Sequence, residues 1–573
     1  MKRVVVLLVI LCLVVCSIFS FSSGKLPFVE SGVLIPLESD IYSKLDALFV
    51  LSGRGVPSTS RPYTVAEARN ELGKIDVLSL SDDEKALYDE LYRTLFIEDK
   101  DKVSLSFSLA PELYGHTNDS YNREEYWNYG YEERSHLLSI ALDNSIHGFY
   151  GHLELSMGKG MVGSDDITPN NVVTLEEWGK SQGKTKTWDG IGTLIEKDYG
   201  NKVNVVKEQS NYSSYFSFNL PNSHNSDINM PRRAYLNYAN DFFSLGVYKS
   251  PKTWGYSKSG NFVFDSHNDY YNTLTLKTFS KTFSFEYTFM LPEAYRGGNN
   301  YYSNDKEQYR RIFAAHRVEV NLFNSLNIAL SENVMYRYEG YIDLSLLNPA
   351  LFYHNNVNNK QFNALAHAEI EYSIIPGLLL YGQLVIDQGS FPGFEDPNTE
   401  DQAMGYSIGL EYDSFILSGL ARFSIEGIYT NPALYRPTGS SDFIINYNHL
   451  NVDDYYRYPF FTYIGYKYGG DTISLCLNAN YTKDNYYIYS NFNLLFDGEF
   501  SLYDQYYSPM LKHSPSGNYD VITSLNIGCE YNAEYFSFPI KSFLDISLVY
   551  SNKRGFDAQF TLGASISYSL KTK

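Results

Sequence analysis

Trp127, Trp178, Trp188 and Trp254 are the only four tryptophans in the 573 residues. Tyrosines crowd the same stretches: Tyr121, Tyr126, Tyr129 and Tyr131 around the first, then Tyr295, Tyr301 and Tyr302 further on. Aromatic faces pack on the C–H faces of sugar rings, and nearby Asn, Asp and Arg side chains bond sugar hydroxyls. Trp127, Trp178, Trp188, Trp254, Tyr126 and Tyr301 are therefore a candidate glycan-binding set. The same residue types also form interfacial aromatic belts or pack loops against one another. Both readings stay open at this point.

A second set is charged. Glu319, Arg317, Glu371, Arg422 and Glu426 each alternate with apolar neighbours, so each falls on the polar face of a strand. Inside a large barrel such residues line the lumen and pair with each other or with water. Carboxylates outnumber bases among them, and an electrostatic filter for cations is the sharper alternative. Catalytic signals are weak. Asp265-Ser266-His267-Asn268-Asp269 holds the residue types of a triad, but adjacency in sequence is not triad geometry. Asp453-Asp454 could join a calcium site with loop carbonyls, although nothing else marks one. The acidic run Asp82-Asp83-Glu84 fits the first turn of a helix better than a metal site. Phosphate-loop, dinucleotide, C-x-x-C and H-E-x-x-H motifs are missing from the sequence. The expectation is a non-enzyme with no catalytic residue, no metal and no cofactor.

The elements that carry these residues are strands. In Phe556 to Tyr568, alternate residues Phe556, Ala558, Phe560, Leu562, Ala564, Ile566 and Tyr568 share one face, while Asp557, Gln559, Thr561, Gly563, Ser565 and Ser567 share the other. About 9–11 residues suffice to cross a bilayer core as a tilted strand. The pattern recurs back to residue 103, with strands expected near 103–113, 137–143, 147–157, 233–239, 242–250, 270–279, 282–291, 310–322, 326–337, 362–373, 378–387, 403–412, 416–430, 458–468, 472–482, 520–531, 537–550 and 556–568. Short turns such as Asn240-Asp241 and Gly469–Asp471 alternate with long connections. Runs near 212–220 and 485–497 break that alternation and are assigned to hairpins inside long loops. The reading is a mainly β protein: a transmembrane antiparallel barrel of about 18 strands over residues 101–573. A soluble β-sandwich would also alternate, but rarely over so many long strands with aromatic faces.

Ahead of the barrel, residues 1–24 read as a signal peptide. Lys2 and Arg3 precede the apolar run Val4 to Val15, and Ser22-Ser23-Gly24 offers a cleavage site. Lipidation at Cys16 is the rival reading. Residues 25–100 read as a small α-helical bundle, periplasmic and a possible barrel plug. Ile41, Leu45, Leu48 and Phe49 keep helical spacing up to Gly53. Thr64 to Glu67 and Ser81 to Glu84 are capping-box patterns. Past the signal only Cys476 and Cys529 remain, on opposite strand faces, so two free thiols are expected.

Two stretches resemble one family. Pro36-Leu37, the helix Tyr42 to Leu48, the Gly53 to Gly55 break and Arg61-Pro62-Tyr63-Thr64 are similar to the N-terminal pattern of capsule-assembly Wzi-like outer-membrane proteins. Leu245-Gly246-Val247-Tyr248, Trp254-Gly255, Ser259-Gly260 and Phe262-Val263-Phe264 are similar to a second run of that family. Tyr248 and Lys249 stand where the family prefers Arg, and Tyr256 replaces Pro. The resemblance implies an eighteen-strand barrel whose periplasmic mouth is closed by a helical bundle, and a lectin-like role in holding surface polysaccharide.

The expected partners are thus outer-membrane lipid, a surface polysaccharide and, during biogenesis, the barrel-assembly machinery. The formal net charge of −20 argues against nucleic acid. The expected location is the outer membrane, with long loops extracellular and the helices in the periplasm. The alternatives are an outer-membrane diffusion porin with a periplasmic helical plug, and an adhesin using the long loop 158–232.

Overall fold

The computed structural model describes residues 26, 29–96, 102–118, 133–158, 216–219, 228–292, 310–338, 344–353, 362–388, 403–435, 443–450, 457–500, 513–535 and 538–572. Eighteen antiparallel strands close into a barrel. The first, β1, is broken at Pro111 into Val103–Leu109 and Glu112–Gly115. Then follow β2 (Leu138–Ile146), β3 (Phe149–Met157), β4 (Ile228–Ala239), β5 (Phe243–Ser250), β6 (Tyr271–Phe279), β7 (Phe283–Met290), β8 (Arg310–Leu322) and β9 (Leu326–Tyr338). The second half comprises β10 (Phe362–Ile375), β11 (Leu378–Gln388), β12 (Ala403–Ile416), β13 (Gly419–Thr430), β14 (Thr472–Lys483), β15 (Tyr486–Asp497), β16 (Asp520–Tyr535), β17 (Phe538–Ser551) and β18 (Gly555–Thr572). Strand β18 pairs with β17 on one side and with both halves of β1 on the other, which closes the wall.

Polarity is inverted relative to a water-soluble protein. On β12, Tyr406, Ile408, Leu410 and Tyr412 face outward and are exposed, Ile408 by 62%. Ser407, Glu411 and Asp413, on the other face of the same strand, are buried. The pattern holds around the barrel, with Leu236, Val247, Ile425, Ile488 and Leu570 also exposed. An apolar band this wide calls for lipid rather than water, which disposes of the sandwich.

One end of the barrel, called the inner end here, carries short turns. His147-Gly148 (φ 50 and 84) and Leu417-Ser418 (φ 51 and 61) have both central residues left-handed. That geometry matches the right-handed strand twist in two-residue hairpins. Long connections lie at the outer end. Two strand assignments made from sequence are exchanged. The run 458–468, expected in the wall, supplies Arg457–Tyr463, which pairs with Ile444–Leu450 in a separate hairpin. The run 485–497, expected in a loop hairpin, is β15, paired over its whole length with β14 and β16. Connection length misled: the short turn lies at Asp484-Asn485, so Gly469–Asp471 falls at the outer end instead of the inner. Within 212–220, Phe216–Phe218 pairs with the second half of β1.

Three helices sit at the inner end: α1 (Asp40–Leu51), α2 (Val65–Leu72) and α3 (Asp82–Phe96). Ser39 and Thr64 cap the first two. Ser81 and Glu84 form a reciprocal capping box, the Glu84 carboxylate accepting from Ser81 N at 2.6 Å. Ile41, Leu45, Leu48, Phe49, Leu72, Leu91 and Leu95 share one core, which also takes in Tyr150 of the wall. Cys476 and Cys529 are not joined in a disulfide, as their opposite faces require.

Candidate functional site: a junction inside the barrel

The segment between α1 and α2 leaves the bundle and enters the lumen. Gly53 at φ 70 stops α1, and the chain is pinned to the inner turns on its way. Gly55 N donates to Asn324 O at 2.8 Å, and Gly377 N donates to Val50 O at 2.8 Å. Beyond that point Ser58, Thr59 and Ser60 present three hydroxyls to three wall carboxylates. Ser58 Oγ donates to Glu319 at 2.9 Å, Thr59 Oγ1 to Glu369 at 2.5 Å, and Ser60 Oγ to Glu286. Arg317 lies among them. Its Nε and Nη2 reach Glu369 at 3.2 and 3.0 Å in a fork, and it also pairs with Glu319. Asn327 Nδ2 ties Glu319 (2.9 Å) to Glu371 (3.0 Å). Such forked, charge-assisted bonds are directional and strong. They fix the tip of the segment in one place.

A second segment descends from the outer end. Residues 251–270, between β5 and β6, fold into the lumen. Glu426 accepts from Ser257 Oγ (2.7 Å), Lys258 N (2.9 Å) and Ser259 N (3.1 Å). Glu411 accepts from Tyr256 OH at 2.8 Å and pairs with Lys258 and Arg422. Arg422 also donates to Tyr256 OH at 3.0 Å and to Ser43 O of α1 at 3.1 Å. Phe262, Val263 and Phe264 pack into an aromatic core with Phe313, Tyr435, Tyr463 and Tyr466.

The two segments meet. Ser60 pairs with Trp254 and Arg61 with Thr253 in a two-residue antiparallel bridge. Gly255 N donates to Thr59 O at 3.2 Å. Trp254 is 0% exposed and meets Phe264 edge-on, ring centroids 4.9 Å apart. Arg61 turns back to the bundle, 2.5 Å from Asp46 and over the Tyr42 ring. Burial alone would lower its pKa; Asp46 outweighs burial and holds it above its usual value.

Glu67 of α2 departs from its expected capping role. Thr64 Oγ1 accepts from Glu67 N at 3.2 Å, but the Glu67 carboxylate pairs with Lys277 of β6. Burial pushes this carboxyl up to about 7, against the pull of Lys277. Lys277 Nζ donates in addition to Ser60 O at 3.0 Å.

The five expected lumen charges all face inward, and each belongs to one of these two clusters. The aromatic set divides differently. Trp127, Trp178, Trp188, Tyr126 and Tyr301 lie outside the described residues. Trp254 is buried in the lumen, so it offers no face to a surface glycan. Its neighbours Phe262 to Phe264 draw the loop inward, which removes Trp254 from the candidate glycan-binding set. Asp265 and His267 are in contact at 2.9 Å, and His267 Nε2 lies 3.0 Å from Thr462 Oγ1. The buried Thr462 hydroxyl belongs to the Arg457–Tyr463 hairpin, and the chain of contacts fastens loop to hairpin. Asp453-Asp454 lies outside the described residues. Sequence reasoning missed Ser58-Thr59-Ser60; the only available signal was a polar run between two capped helices.

No family model and no curated protein matches the chain. Among solved structures, it is similar to Wzi, an outer-membrane protein involved in group 1 capsule assembly in Escherichia coli and described as a carbohydrate-binding β-barrel. The likeness covers 93% of this chain and 99% of Wzi at 13% identity, with a TM-score of 0.52. Pseudomonas aeruginosa OccK7 (OpdD) aligns over 82% of this chain and 99% of its own at 8% identity, TM-score 0.39. The outer membrane protein OpdK of Pseudomonas aeruginosa covers the same shares at 6% identity, TM-score 0.36. The chain has a Wzi-like outer-membrane β-barrel fold.

Proposed function

We propose that this protein holds a surface polysaccharide non-covalently at the outer end of a closed outer-membrane barrel, with residues 29–96 on the periplasmic side. One observation carries the reading. Ser60–Arg61 and Thr253–Trp254 bridge inside the lumen, so two segments from opposite ends obstruct the path a diffusing solute needs. That favours binding over diffusion. The fold likeness to a carbohydrate-binding barrel supports it. Trp127, Trp178, Trp188, Tyr126 and Tyr301 are the proposed contacts, stacking on sugar faces while loop amides bond hydroxyls. Lipid contacts the apolar band, and the polymer leaves chemically unchanged.

The test is retention of the source cell's own purified surface polysaccharide by the immobilised, detergent-solubilised protein. The triple variant Trp127→Ala, Trp178→Ala, Trp188→Ala is expected to lose about tenfold or more in affinity, the equivalent of about 1.4 kcal/mol. Trp254→Phe is expected to bind as the parent does. Undiminished binding by the triple variant contradicts the assignment.

A further inference from the structure

The contacts that seat residues 29–72 are one-sided. They reach Ser145 of β2, Asn237 of β4, Lys277 of β6, Glu286 of β7, Glu319 of β8, Glu369 of β10 and Arg422 of β13. None of these reaches β14 to β18. On the seated side the inward residues Glu286, Arg317 and Glu369 are buried. On the other side the wall changes in both chemistry and exposure.

Register places Asn478 beside Asn491, and Asn491 beside Asn526, all facing the lumen. Asn493 and Ser524 form the next such pair. Asn478, Asn491, Asn493 and Ser524 are only half-buried. Where β18 meets β1 the inward residues are serines. Ser106 and Ser569 hydroxyls lie 2.8 Å apart, and Ser108 and Ser567 hydroxyls 3.2 Å apart. The charges on this side are already engaged. Glu530 pairs with Lys541 at 2.8 Å, and Asp545 accepts from Tyr489 OH at 2.8 Å and Ser547 Oγ at 3.2 Å. Half-buried Tyr487 adds ring surface, its centroid 5.4 Å from that of the buried Tyr489.

A separate observation points to a ligand. Asn526 is 8% exposed, faces the lumen between Asn491 and Ser547, and its Oδ1 has no hydrogen-bond partner among the described residues. Buried amide oxygens are nearly always paired. Asn493 Oδ1 is in the same position.

We infer that the wall from β14 through β18 to β1 is a second binding groove for a neutral polyhydroxylated ligand: a short saccharide segment. Amides and hydroxyls supply donors and acceptors without net charge, which is what sugar hydroxyls need, and tyrosine rings supply the C–H contact. Among the described residues of this wall Lys541 is paired with Glu530, and an anionic sugar also meets the carboxylate of Asp545. The groove shares no residue with the proposed outer-end contacts, so the two stand or fall separately.

Calorimetric titration of the purified full-length protein with maltohexaose and with hexagalacturonate tests it. A groove of uncharged amides and hydroxyls takes neutral hexoses weakly and without fine discrimination, which makes maltohexaose a fair probe. The expected result is saturable, millimolar binding of maltohexaose, with hexagalacturonate about tenfold weaker or worse. Asn491→Ala with Asn493→Ala is expected to weaken maltohexaose about tenfold. Heat-modifiable migration reports whether that variant folds, and the comparison of the two sugars on the parent protein stands without it. The Trp127, Trp178, Trp188 triple variant is expected to leave maltohexaose binding unchanged. Absent or non-saturable maltohexaose binding overturns the inference. So does equal binding of both sugars, or an unchanged affinity in the folded asparagine variant.

Discussion

Ser60 and Trp254 face each other as partners in an antiparallel bridge inside the lumen, although one arrives from the helical end and the other from the long-loop end. Both are held by wall charges: Ser60 through Glu286, which also pairs with Lys252 of the Trp254 loop, and that loop further through Glu411 and Glu426. The bridge therefore joins two anchored segments, and its strength depends on both anchors.

Trp254→Ala removes a fully buried aromatic from between Phe264 and the lumenal charges. Truncations of this kind cost about 3–5 kcal/mol. The variant is expected to lose near-ultraviolet dichroism at a lower temperature than the parent, while Trp254→Phe keeps most of the parent's midpoint. An alanine variant that melts like the parent would mean the loop is held by Glu411 and Glu426 alone.

Arg317→Ala leaves Glu319 and Glu369 buried without their shared cation. Breaking one side of such a network costs about 3–5 kcal/mol, whereas replacing charges together with neutral groups costs far less. Urea denaturation in detergent is expected to show a large drop for Arg317→Ala. Much of it should return in Arg317→Met combined with Glu319→Gln and Glu369→Gln.

The Glu67 carboxyl gives the seated bundle a pH dependence. Burial raises its pKa from the ordinary carboxyl value to about 7, so between those values the folded form holds a proton that the unfolded chain releases. Stability from this group is therefore highest below about pH 4.5, falls as pH rises toward 7, and is flat above; the full swing is at most about 3 kcal/mol. Proteolytic release of residues 29–96 across that range is expected to rise with pH in the parent and to flatten in Glu67→Gln. A parent profile that runs the other way would show that Lys277 dominates.

Leu417 and Ser418 occupy left-handed backbone at the β12–β13 turn. Leucine is poorly suited to it, whereas Asn-Gly is the preferred pair. Leu417→Asn with Ser418→Gly is expected to raise the unfolding free energy measured by denaturant titration by about 1 kcal/mol, and Leu417→Val to lower it by a similar amount. No change in either would place the limiting step of unfolding away from this turn.

Much of this was legible in the sequence because strand parity is strict. Inward Glu319, Arg317, Glu371, Arg422 and Glu426 could be assigned from alternation alone, whereas the count of eighteen came out right because including 458–468 offset leaving out 485–497. Parity cannot say which of two alternating runs joins the wall: Arg457–Tyr463 and Tyr486–Asp497 look alike, and only pairing partners separate them. Ser58-Thr59-Ser60 reads as an ordinary loop because its partners lie on four distant strands. The burial of Trp254 was hidden for a related reason. A loop that folds into a lumen and one that faces water use the same Gly, Ser and aromatic residues, and the carboxylates that decide between them are remote in sequence.

The central claim is that the bridge between Ser60–Arg61 and Thr253–Trp254 closes the barrel. Single-channel recording in planar bilayers tests it most directly, on the whole protein and on a variant carrying Thr59→Ala, Ser60→Pro and Trp254→Ala. The account predicts a silent parent and a variant with discrete openings. Steady conductance from the parent would contradict it and identify the protein as a diffusion porin.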